Sequence, residues 1–416
     1  MEIKIQSVKD FDLKNKKVLF RPDINSPLDP QTKSIVNVNR IQKNAPTLKY
    51  LLDSGAAVAI IAHQGDTLDY QNLISMKEHA QKLSEASGYP IRYIDDVCGD
   101  AAVEAVKNLK NGECILLGNL RYLTEEVSTF EKDVKLTPAE MKDTYLIRRL
   151  SPLFDLYVND AFSAAHRNCP SMTGFQQVLP SAAGFQFFDE YSALSAVRDN
   201  ARHPAVFVLG GAKISDAFGM METVLKNGTA DKILTTGITG IIMLIASGVD
   251  VGSKMTAFLK DKDLLVFVED AKKYLSEYPD QIEMPVDVAI KKDDARVEIP
   301  VSQMPLDALY PDIGNATVVK YANILKSAGT IFANGPAGVY EEDMFSNGTR
   351  GIWQAIADSD GYSVIGGGDT VNSAAKFIDI RKISYVCTAG GALIRFMSGK
   401  KLPLVDAMEN AYGGTK

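Results

Sequence analysis

Short runs of β-branched and aliphatic residues alternate with amphipathic stretches from one end of this chain to the other. "KVLF" (17–20), "AAVAIIA" (56–62), "ECILLG" (113–118), "DLYVND" (155–160), "AVFVLG" (205–210), "KILTT" (232–236), "TIFAN" (330–334), "YSVIG" (362–366) and "ISYVCT" (383–388) read as strands. Between them, stretches such as "SMKEHAQKLSEASG" (75–88) and "TPAEMKDTYLIRRL" (137–150) read as helices. Strands apolar at every position, not at every second one, are covered on both faces. Joined through helices, they make parallel sheets, so the fold class is α/β. Nine such strands in 416 residues suit two sheets better than one. The Pro/Gly break and long helix of "LPSAAGFQFFDEYSALSAV" (179–197) mark the expected seam.

In open α/β sheets, ligands bind beyond the carboxyl ends of the strands. In the first half those ends carry Arg21 with Asp23 and Asn25, then His63, Asn119 with Arg121, and Asp160 with His166 and Arg167; Arg40 stands at a predicted helix start. In the second half they carry glycine: "GGAK" (210–213), "TTG" (235–237), "NGPAG" (334–338), "GGGDT" (366–370) and "AGG" (389–391). Guanidinium and imidazole groups suit a small multiply charged acid. Glycine loops entering helices bring backbone N–H groups close to phosphate. Asp369 is placed to hold a divalent cation, Lys213 to neutralise a phosphoryl group in transfer, and Glu341 to accept from ribose hydroxyls. Each glycine turn alone is equally well an ordinary strand–helix junction, and each lone Arg or His a surface pair or a core residue; it is their repetition at successive strand ends that carries weight.

The net charge of −7 argues against nucleic-acid or membrane-surface partners, so any anion site must gather its cations locally. The four cysteines form no CxxC pair and fit reduced thiols in a cytoplasm. The uncharged stretch 233–249 is broken by Thr235, Thr236, Gly237, Thr239 and Gly240, and reads as a strand, turn and helix instead of a membrane span. No GxxxxGK[ST] is present, and no GxGxxG follows the first strand, which disfavours a P-loop protein and a nicotinamide dehydrogenase. A kinase for a phosphorylated carboxylic acid, closing about a hinge, is the reading that unites the two halves.

The segments "RPDINSPL" (21–28), "VNRI" (38–41), "AHQG" (62–65), "LLGNLRY" (116–122), "YVNDAFSAAHRNCPSM" (157–172), "LGGAKISD" (209–216), "ANGPAGVYE" (333–341), "GGGDT" and "CTAGGAL" (387–393) resemble those of phosphoglycerate kinases, in that family's order; "HQG" looks like its archaeal branch. The resemblance implies two Rossmann-like domains: residues 1–184 for the acid, a joining helix 185–200, 201–400 for the nucleotide, and a segment 401–416 returning to the first. It implies reversible transfer between 1,3-bisphosphoglycerate and ADP with Mg²⁺, giving 3-phosphoglycerate and ATP, in a cytoplasmic monomer or homodimer. Asp23, Asn25, Arg40, His63, Arg121 and Arg167 would hold the acid. Arg40 and Lys213, with amides of Gly368 and Gly391, would stabilise the phosphoryl group in flight. Gly211, Ala212, Gly237, Gly314, Asn334, Pro336, Glu341, Gly367, Gly368, Asp369 and Thr370 would line the nucleotide site, Asp369 also holding the metal.

Three positions depart from the family's usual pattern. Asp66 stands where an Arg commonly follows the histidine–glycine core, Ala217 where a second lysine follows Lys213, and Ala389 opens a glycine triplet. Two other readings therefore stand beside the first: a paralogue that binds nucleotide without catalysis, and a kinase of the same fold for another acyl phosphate.

Overall fold

Every residue of Ala57–Ala62 is buried, as is every residue of Lys17–Pro22 after the first. In the computed structural model, which describes residues 3–65 and 70–414, these are the central strands β2 and β1 of a six-stranded sheet. With Ile91–Tyr93 (β3), Cys114–Asn119 (β4), Leu156–Asp160 (β5) and Ser181–Ala183 (β6), they pair in the order β3-β4-β2-β1-β5-β6, all parallel. Val18, Phe20, Val58 and Ile60 face one core, under helices Asn39–Asp53 and Lys77–Ser87; Leu19, Ala57, Ala59 and Ile61 face another, under Asp100–Lys107 and Tyr145–Leu150. Continuous apolar runs are what two covered faces require.

A second compact unit, Ala193–Lys400, is built the same way; the first comprises the residues up to Ser192 and those from Lys401 on. Its strands Ala205–Leu209 (β7), Lys232–Thr235 (β8), Ile282–Glu283 (β9), Thr330–Asn334 (β13), Tyr362–Ile365 (β14) and Tyr385–Val386 (β15) run parallel in the order β15-β14-β13-β7-β8-β9. Between β9 and β13, strands Asp287–Lys292 (β10), Ala295–Pro300 (β11) and Asp312–Ile313 (β12) form an antiparallel sheet. The chain passes from one unit to the other within the helix Phe185–Arg198.

Two local expectations are corrected, and one hairpin was not anticipated. The stretch 137–150 is two helices, Pro138–Met141 and Tyr145–Leu150, because the Glu125 carboxylate accepts from the amides of Tyr145 and Leu146 at 3.0 and 2.7 Å and starts the second one afresh. In "ISYVCT" only Tyr385–Val386 pairs. The hairpin β10–β11 turns through Asp293 and Asp294, both at positive φ, without the glycine that usually announces such a turn. The uncharged stretch around 240 does resolve into β8 and the helix Gly237–Ala246, and no helix among the described residues is long and apolar enough to cross a membrane.

Candidate active site

In the first unit, guanidinium groups gather at the carboxyl ends of β1, β4 and β5. Arg21 is 2% exposed; its Nη2 donates to His63 Nδ1 at 2.9 Å, so the neutral imidazole carries its hydrogen on Nε2. Burial drives the His63 pKa well down, and the nearby charges of Arg21, Arg121, Arg40 and Arg167 drive it further. His63 thus lies within electrostatic reach of four arginines, Arg21 alone in hydrogen-bond contact with it. Arg121 gives Nη1 to the Glu126 carbonyl, and Arg167 gives Nε to Glu131 at 2.6 Å. Arg21 Nε, Arg121 Nε and Arg167 Nη2 are buried without a hydrogen-bond partner among the described residues. Unsatisfied buried donors are costly, and an anionic ligand would satisfy guanidinium groups left in this state.

Asp23 does not pair with the adjacent Arg21. It accepts from Arg40 Nη1 at 3.1 Å and from Ser163 Oγ, while Arg40 also reaches the Asn25 carbonyl at 3.3 Å. Asn25 Oδ1 accepts from the Gly65 amide at 3.1 Å, which fastens the loop after β2 to the loop after β1. Sequence reasoning missed the buried side chains behind this arrangement. Gln64 bonds both backbone groups of Ser26 at 2.9 Å and accepts from His79 at 2.8 Å. Glu126, whose pKa burial pushes up, takes the Ser171 amide and hydroxyl at 2.6 Å each. The available signal for Gln64 was its place inside "AHQG"; for Glu126 there was none. Asp160 belongs to the frame: it accepts from Thr47 at 2.6 Å and caps the helix Phe185–Arg198 through the Phe187 amide at 2.8 Å. Asp66 lies outside the described residues.

In the second unit, a cavity of about 340 Å³ opens at the ends of β7, β13, β14 and β15. Gly211, Ala212, Lys213, Asn334, Pro336, Gly367, Gly368, Asp369, Thr370 and Gly391 line it. A slot of about 190 Å³ adjoins it through Gly211, Ala212, Pro336 and Asp369, with Gly237 and Glu341 on its walls and the apolar Ile238, Tyr310 and Val339 unanticipated. The loops are tied to one another: Asn334 Nδ2 donates to the Gly366 carbonyl at 2.6 Å, and the Gly335 amide to Thr370 Oγ1 at 2.8 Å. Gly335 has to be glycine, since its φ is +89° and a Cβ would meet the Gly210 carbonyl oxygen at 2.2 Å. Around Gly368, Gly390 and Gly391 a Cβ would meet nothing within 4 Å, so packing makes no demand for glycine there.

Gly314 is not among the residues that line the cavity or the slot. It starts the helix Asn315–Lys326, where a Cβ would strike the Asp287 carboxylate that caps Ala316 and Thr317. Ala217 is 1% exposed and points into the core. Ala389 costs nothing, because neither it nor the two glycines after it adopts positive φ.

A family model described as phosphoglycerate kinase matches residues 8–400. The phosphoglycerate kinase of Methanothermus fervidus is 42% identical over 408 residues, 98% of each chain. That of Sulfolobus acidocaldarius is 39% identical over 414 residues, 99% of this chain and 97% of the other. Among solved structures, phosphoglycerate kinase from Pyrococcus horikoshii superposes with a TM-score of 0.85 at 37% identity, covering 98% of this chain and 100% of that one.

Proposed function

This chain belongs to the phosphoglycerate kinase family, and on that premise we propose that it moves a phosphoryl group reversibly between 1,3-bisphosphoglycerate and ADP, giving 3-phosphoglycerate and ATP. The three unpartnered guanidinium N–H groups of Arg21, Arg121 and Arg167 carry this reading, because a phosphorylated carboxylic acid supplies the acceptors they lack. Asp23, Asn25, Arg40, His63, Arg121 and Arg167 hold that acid, with residues 1–184 and the returning segment 401–416 as its domain. Residues 201–400 take the nucleotide, 185–200 joining the two. The base lies in the slot, Glu341 accepts from the ribose, and the phosphates run past Gly367, Gly368 and Thr370.

The donor set suits Mg²⁺. Asp369 offers one exposed carboxylate to both slot and cavity, and no cluster of three or more His, Cys, Asp or Glu occurs among the described residues. Mg²⁺ typically takes one or two carboxylates and completes its shell with water and substrate phosphates. Held by Asp369, it would neutralise phosphate oxygens.

The transfer itself asks little covalent chemistry of the protein. The acyl-phosphate carboxylate is already a competent nucleophile or leaving group, so no general base is needed. Arg40 and Lys213 meet the charge that spreads over the transferring group, aided by the amides at Gly368 and Gly391. A non-catalytic role finds no support in the family match or the named relatives. A cytoplasmic monomer or homodimer completes the reading. A coupled assay in the ATP-consuming direction, run with 3-phosphoglycerate against other hydroxy acids, tests it. Turnover with 3-phosphoglycerate that is lost in Lys213→Ala and Arg40→Ala is expected; tight ATP binding without turnover of any acid would overturn it.

A further inference from the structure

The glycine-loop cavity extends past its glycine turns. Beyond Gly390 its wall continues along the helix Gly391–Met397: Gly391, Ile394, Arg395 and Ser398 follow at the spacing of one helical face, and Lys400 closes the end. Arg395 and Lys400 are exposed, and neither forms an ion pair with a described residue. The Lys400 amide donates to the Arg395 carbonyl at 2.9 Å, which keeps the two cations on the same turn of chain. Across the cavity the helix Ile214–Lys226 contributes the acidic Asp216 after Lys213, while Ala217 is buried. Two of the cavity's three cations therefore stand at this end, in a chain whose net charge of −7 repels anions overall.

The shared walls set a direction. Slot and cavity meet at Gly211, Ala212, Pro336 and Asp369, whereas Glu341 lines only the slot and Arg395 only the cavity. A nucleotide with its base in the slot lays its phosphates into the cavity that Arg395 lines, the terminal one farthest from the base. A guanidinium offers paired donors to phosphate oxygens. We propose that Arg395 binds the terminal, transferable phosphate of the nucleoside triphosphate and thereby separates tri- from diphosphate. The inference rests on the nucleotide reading of this cavity.

Calorimetric titration of the full chain with ATP and with ADP, Mg²⁺ present, tests it in wild type, Arg395→Ala and Arg395→Gln. The side chain is exposed, so both variants should fold, as circular dichroism will check. Loss of one charge-assisted contact should weaken ATP by ~10–100-fold and leave ADP within about 2-fold. Equal weakening of both nucleotides, or of neither, overturns the assignment of Arg395 alone. Failure of the wild type to bind either nucleotide overturns the nucleotide reading, and this inference with it.

Discussion

Arg121 shows how burial can leave one residue short of partners. It is buried, its pKa is lowered first by that burial, and only part of its fork is satisfied, by the Glu126 carbonyl. Desolvating a guanidinium while leaving Nε without an acceptor is unfavourable until an anion arrives. A lysine keeps the charge and loses the fork. Arg121→Lys should therefore raise the KM for 3-phosphoglycerate by ~10–100-fold with a smaller change in kcat, measured by steady-state kinetics. An unchanged KM would place Arg121 outside the acid site. At this scale the residue types were legible, since few side chains other than arginine suit phosphate and carboxylate together. Their pairings were not: Asp23 sits two residues from Arg21 yet bonds Arg40, and only the packing of the helix Asn39–Asp53 against the end of β1 decides that.

The strand-end loops of the second unit separate two uses of glycine. Gly335 is demanded by its backbone and by the Gly210 carbonyl, so Gly335→Ala should lower folding stability by more than about 1 kcal/mol in denaturant melts. Gly368 meets open space, so Gly368→Ala should leave the melt nearly unchanged and weaken ATP binding measured by titration. The reverse pattern would make Gly368 a structural glycine. The loops were readable because strand, glycine and helix adjoin along the chain. Gly314 was named only through the family resemblance; a Cβ there would strike the Asp287 carboxylate, 27 residues earlier, which no local reading reveals.

For the whole molecule, buried carboxylates tie stability to pH. Burial raises the Asp160 pKa from 3.8 to about 7, and that of Asp312 to about 6. A carboxyl group whose folded pKa lies above its unfolded one contributes stability in full below the unfolded value and loses it as pH rises through the folded value. For Asp160 the window runs from 3.8 to about 7, a loss on the order of 4 kcal/mol at ~1.4 kcal/mol per unit. Asp160→Asn should thus flatten this part of the pH dependence of unfolding, measured in urea between pH 4 and 7. Parallel profiles for variant and wild type would show that Asp160 does not titrate there.

The amino-acid sequence alone determined the α/β class, both sets of strand ends and the chemistry each set offers, because periodicity and residue type are local properties of a chain. Tertiary structure alone decided which donors are left without acceptors, which glycines face open space, and that Arg395 and Lys400 line the glycine-loop cavity. Those are statements about neighbours distant along the chain, and only burial and close packing make such neighbours.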